Sequence, residues 1–167
     1  MWKKVEEYFK NHPERLAVVR VLVENGLSVK EKRVFCNEIE IATINIARVA
    51  GVDRRTVNET VRMINKTPEL QSIFNRLRSS GHSLKEIAKY LNLGVVEITP
   101  SDARTPGILA SSANLLAKRN ISIRQALVDD PELSPEPKLT LITEGKIPGV
   151  LIPEFLKIKS VEKVSVF

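Results

Sequence analysis

The chain has 167 residues, 43% hydrophobic and 28% charged, which is enough apolar material for one generous domain or two small ones and argues against disorder as the default. No apolar run approaches a bilayer span, the opening MWKKVEEYFK lacks the apolar core of a signal peptide, and one cysteine with two histidines allows neither an intrachain disulfide nor a zinc cluster. A cytoplasmic protein with no membrane partner, metal or cofactor is therefore expected.

The net charge of +6 is unevenly placed. Residues 1–92 hold 17 Lys and Arg against 11 Asp and Glu, whereas residues 93–167 hold 9 of each. Such a division suggests a basic module that meets a polyanion, joined to a neutral one that meets something else.

Taken in chain order, the first half predicts a series of helices. Pro13 suits a first turn, an apolar run over 16–23 follows, and Gly26 is placed as a C-terminal stop. The stretch EKRVFCNEIEI, with Ile39 and Ile41 alternating, predicts one short extended segment before Thr43, which is placed to cap the next helix. Cys36 within it reads as a buried small apolar residue.

The series Ile46-Ala47, Ala50-Gly51-Val52 and Val57 then resembles the helix-turn-helix motif at its diagnostic spacings. Ala47 lets two helices cross closely, Gly51 supplies a left-handed turn, and Val52 and Val57 plug the space between. Asp53 is a good N-cap. At 100° per residue Val57, Val61 and Ile64 form the core stripe, and Arg55, Asn58, Glu59, Arg62 and Lys66 lie opposite. Arg54 and Arg55 occupy the first turn, where the helix dipole disfavours cations, so an external anion is expected to compensate.

The DNA-binding candidates are therefore Arg54, Arg55, Asn58, Arg62 and Lys66. Glu59 repels phosphate, although a carboxylate can accept from cytosine N4. Thr60 stands where an apolar residue is usual, so Val61 is expected to fill that place with the helix slightly rotated. The same residues also suit a plain helical hairpin in a small bundle.

Thr67-Pro68-Glu69 opens the next helix, with Leu70, Ile73, Phe74 and Leu77 on one face and Ser79-Ser80-Gly81 as its end. Ser83 and Glu86 form a capping-box pattern for a short connector helix carrying Ile87, Tyr90 and Leu91, a candidate for dimer contacts. Gly94 is read as its stop and as the domain boundary, giving domains 1–92 and 93–167.

Beyond that point the periodicity changes. Strands are predicted at 95–99, 121–128, 138–143 and 161–167, and helices at 106–119 and 148–157, the second broken or kinked by Pro153. Residues 129–137 form a Pro-rich acidic loop. Thr105-Pro106-Gly107-Ile108-Leu109 is echoed by Ile147-Pro148-Gly149-Val150-Leu151, so a strand–helix–strand unit is used twice. That gives the βαββαβ order of the ferredoxin-like fold, with both helices on one sheet face. The other face or an edge needs cover, and dimerisation would supply it.

The strand, the segment Asp102-Ala103-Arg104-Thr105-Pro106-Gly107-Ile108-Leu109 and the following helix resemble the ACT domain, over nearly all of residues 94–167. The resemblance implies an amino acid or related metabolite bound between paired domains beside Gly107, flanked by Pro106 and Ile108. A glycine there leaves the N–H groups of the helix start open to a carboxylate. Asp102 would take the α-ammonium, and Arg104 or Ser122 would complete the pocket.

The whole chain is similar to small archaeal proteins with an N-terminal helix-turn-helix region and a C-terminal ACT domain, regarded as regulators of amino-acid metabolism. This implies an α+β fold, a homodimer, duplex DNA as partner and an amino acid as effector. The alternative is an ACT-type regulatory subunit that docks on a biosynthetic enzyme. RNA binding would call for exposed stacking aromatics, and aromatics are 5% of the chain. No nucleotide-binding glycine loop, Cys-x-x-Cys or nucleophile elbow occurs, so no enzyme is expected.

Overall fold

The structure, a computed structural model, describes residues 1–167 and divides into two compact units, Met1–Gly81 and His82–Phe167. The fold is mixed α+β. No helix is long and apolar enough to cross a membrane.

The first unit runs α1 (Trp2–Phe9), α2 (Pro13–Glu24), β1 (Leu27–Lys30), β2 (Arg33–Cys36), β3 (Ile39–Ile41), α3 (Thr43–Ala50), α4 (Arg54–Lys66) and α5 (Pro68–Phe74). Its core is built from Val5 and Phe9 of α1, Val18, Val19 and Leu22 of α2, and the inner stripes of α3, α4 and α5. Pro13 sits in the first turn of α2, and Gly26, at φ +62°, follows its C-cap. A methyl group on Gly26 would lie 2.6 Å from the backbone of Ser79, so this glycine lets the end of the unit close onto its middle.

Four expectations need correction here. The single extended segment before Thr43 is a three-stranded antiparallel meander, β1-β2-β3, paired from Leu27↔Cys36 to Cys36↔Ile39. Its first hairpin turns on Glu31 and Lys32, both at positive φ (48° and 65°), without the Asn-Gly or Asp-Gly that usually marks a two-residue turn. Cys36 is only partly buried, at the end of β2. Thr43 is the first helical residue of α3 rather than its cap, which is Ala42. Finally, α5 stops at Phe74, three residues before Leu77, and the chain beyond it passes Gly26 at Ser79.

The second unit begins with a 3-10 helix, Lys85–Leu91, and continues β4 (Gly94–Pro100), α6 (Ile108–Ala117), β5 (Ile123–Val128), β6 (Leu139–Thr143), one 3-10 turn at Gly149–Leu151, α7 (Ile152–Leu156) and β7 (Val161–Val166). The sheet order is β5-β6-β4-β7 with every neighbour antiparallel. Val96, Ile98, Leu139 and Leu141 pack with Ile108 and Leu116 of α6 and with Leu151 and Phe155. The break foreseen at Pro153 is real: the proline stands in the first turn of α7, after the 3-10 turn. The echoed Pro-Gly pairs differ in backbone, because Gly107 is left-handed at φ +93° and Gly149 has no positive φ.

Residues 82–92, read as the end of the first half, pack with the second unit. Ala88 and Leu93 cover Val95 and Ile142, which together with the layer on the other side explains why all of β6 is buried despite its alternating sequence. Gln125 ties the segment down, accepting from the Leu84 N–H at 2.9 Å and donating to the His82 carbonyl at 2.6 Å, while Lys85 pairs with Glu97 at 2.8 Å. The sheet thus covers part of its second face with its own chain. Asn92, left-handed at φ +55°, ends the 3-10 helix, and Gly94 is the first residue of β4.

Candidate functional site

The basic site lies on the open face of α4. Gly51, left-handed at φ +68°, ends α3 by donating its N–H to the Ala47 carbonyl, and the Val52 N–H donates to the same oxygen at 3.0 Å. Asp53 caps α4, its Oδ1 accepting from the Thr56 N–H at 2.8 Å. Val57, Val61 and Ile64 are buried as their spacing requires.

Thr60 is fully buried too. Its hydroxyl donates to the Thr56 carbonyl at 2.8 Å, and Val61 beside it is buried as well.

With that stripe inside, Arg54, Arg55, Asn58, Glu59 and Arg62 line one shallow, open depression on the solvent side, and Lys66 follows one turn beyond Arg62. Glu59 is held twice: Oε1 accepts from Arg55 Nε at 3.1 Å and Oε2 from Arg15 Nη2 at 2.9 Å. The hydrogen bond from Arg15, then that from Arg55, holds the Glu59 carboxyl below its ordinary value of 4.5. Arg15 belongs to α2 and is 44 residues distant in sequence, so no local pattern marked it. Thr56 Oγ1 donates to Glu14 Oε2 at 3.3 Å, a second polar tie between α2 and α4.

The second site is a cavity of about 200 Å³ at the start of α6, walled by Pro100, Ile108, Leu109, Val128, Pro137 and Leu139, with Thr105, Gly107, Asp129 and Lys138 also lining it. Gly107 is the N-cap of the ten-residue α6 and makes no side-chain cap, so the positive end of that helix lies at the edge of this space. Lys138, a cation beside the cavity, pairs with Glu136 at 3.1 Å, and that hydrogen bond raises its pKa.

Of the six ligand-binding candidates, Gly107 and Ile108 line the cavity. Pro106 is exposed beside them. Asp102 turns its Oδ1 back to the Arg104 N–H at 2.9 Å, and neither side chain lines the wall. Ser122 lies at the far end of the sheet: it precedes Ile123, which pairs with Thr143 opposite Gly94, whereas the cavity is at the Pro100 end of β4. Six strand residues separate the two ends, roughly 20 Å. Val128 and Asp129, at the other end of β5, and Lys138 line the cavity.

No protein-family model and no curated protein matches the chain. Among solved structures it is similar to E. coli AsnC, at 15% identity over 93% of this chain and 88% of that one with a TM-score of 0.32. It is also similar to the leucine response regulatory protein LrpA of Mycobacterium tuberculosis, at 15% identity over 93% of this chain and 90% of that one with a TM-score of 0.29. Likenesses of this order assign neither a family nor a function.

Proposed function

We propose that the protein is an amino-acid-responsive transcription regulator whose first unit binds duplex DNA through a helix-turn-helix formed by α3 and α4. The second unit is a ferredoxin-like, ACT-type sensor that holds the effector at the start of α6 and pairs two chains into a homodimer. The observation that carries this reading is the sorting of α4: an apolar stripe inside, and three arginines with an asparagine around one open depression outside. Cations in the first turn of a helix work against its dipole, and a phosphate backbone would compensate them.

The cavity suits an amino acid with an apolar side chain, whose carboxylate would meet the N–H groups after Gly107 and whose body would lie against Ile108, Leu139 and Val128. Effector and DNA affinities would then be coupled, each altering the other by the same factor. A dimer that reads successive major grooves needs its recognition helices about 34 Å apart, so a small change between paired sensors is enough to alter affinity.

The test is binding of the full chain to duplexes selected from a random pool, compared with unselected DNA at one salt concentration. Arg62→Ala should weaken every duplex by a similar factor and lower the salt slope by about one. An unchanged affinity and slope would remove Arg62 from the interface.

A further inference from the structure

The open face of α4 contains one residue that an electrostatic account leaves unexplained, a glutamate among three arginines. Its two oxygens have different partners. Oε2 takes the N–H of Arg15, which reaches across from α2, is 28% exposed and also lies 3.9 Å from Met63 Sδ, so this side of the carboxylate is fixed to the body of the unit. Oε1 takes only the Nε–H of Arg55, whose side chain is 87% exposed.

The two terminal nitrogens of Arg55 are therefore left to solvent, while the bond at Nε sets the plane of the guanidinium. A planar fork of donors held in this way matches two acceptors side by side. In the major groove guanine offers such a pair, O6 and N7, whereas adenine offers an acceptor beside a donor and cytosine a donor. A mobile arginine, by contrast, satisfies itself on any phosphate oxygen.

We infer that Glu59, anchored by Arg15, is a positioning residue that commits Arg55 to reading a guanine, while Arg54, Arg62 and Lys66 carry the sequence-independent attraction to phosphate. This rests on the reading of α4 as a DNA-reading helix. The lowered pKa of Glu59 is consistent with it, since the carboxylate stays ionised at neutral pH.

The experiment selects preferred duplexes from a random pool with the full-length protein. Affinities of wild type, Glu59→Ala, Glu59→Gln, Arg55→Ala and Arg62→Ala are then measured for the preferred duplex, for versions in which each guanine is replaced, and for random DNA. Glu59→Ala should lose about tenfold in preference for guanine at one position while binding random DNA at least as tightly, because a negative charge has gone.

Arg55→Ala should lose the same preference, and adding Glu59→Ala to it should change that preference no further. Glu59→Gln keeps an acceptor oxygen and should retain part of the preference. A merely structural role would weaken all duplexes alike and lower the melting temperature. Guanine preference that survives in Glu59→Ala or in Arg55→Ala overturns the proposal and leaves the DNA-binding reading intact. A wild-type protein that shows no preference over random DNA overturns both.

Discussion

The first unit carries its candidate site on the outside of one helix, whereas the second forms its site inside a cavity to which β4, the start of α6, the end of β5 and the start of β6 all contribute. That difference separates function from stability in one unit and couples them in the other. Apart from Glu59, which Arg15 ties to α2, side chains on the open face of α4 support little of the fold, so changing them should alter binding with almost no loss of stability. The cavity walls are also the ends of strands and the edge of a core, and most changes there disturb both.

The largest effects should come from the backbone contacts that close each unit. Gly26→Ala would place a methyl 2.6 Å from Ser79 backbone atoms at a positive φ, and Gly94→Ala one 2.5 Å from the Gly145 carbonyl. Each should destabilise its own unit by about 2–3 kcal/mol in chemical denaturation. Two-phase unfolding in which only one phase moves per variant would sharpen the division; a single shared shift would break it.

A cavity variant that spares the fold is harder to choose. Gly107→Val is strained by the left-handed backbone, but Val128 is 63% exposed and stands at the wall, so Val128→Arg should leave the melting temperature near wild type. It should abolish the rise in melting temperature that an apolar amino acid produces in a screen of the twenty. A rise that persists in Val128→Arg would move the effector elsewhere.

A smaller effect is expected at Ser112 in α6, whose hydroxyl is fully buried without a hydrogen-bond partner. Ser112→Ala should stabilise the second unit by about 1 kcal/mol. The smallest concerns Glu59. Its folded pKa is depressed, so its contribution is complete above the ordinary value of 4.5 and fades as pH falls through the folded value. An NMR titration should place its midpoint below 4.5, and Arg15→Ala should return it toward that value.

The same contrast governs what could be read from sequence. The α4 surface was legible because it obeys one helical period: Asp53 fixes the start, Val57, Val61 and Ile64 fix the inside, and the arginines follow on the outside. Arg15 was not, since only the packing of α2 on α4 brings it to Glu59. The meander was hidden by a first turn without turn residues, at Glu31-Lys32, and the segment 82–92 looked like the tail of the helical half until its partners Val95, Ile142 and Gln125 were in place.

The start of α6 was legible from Pro106-Gly107, but the opposite wall was not. Consecutive parallel strands begin at the same end of a sheet, so the start of β5 lies away from the end of β4. That rule was available from topology and puts Ser122 away from the Gly107 cavity of its own chain.

The most direct test of the account is the ratio of affinities for a selected duplex and for random DNA, at one salt concentration, with and without the amino acid that raises the melting temperature. A ratio of about a thousandfold or more that changes on adding the effector is the predicted result. A ratio near one under both conditions would contradict it and leave a basic unit that meets some other acidic partner.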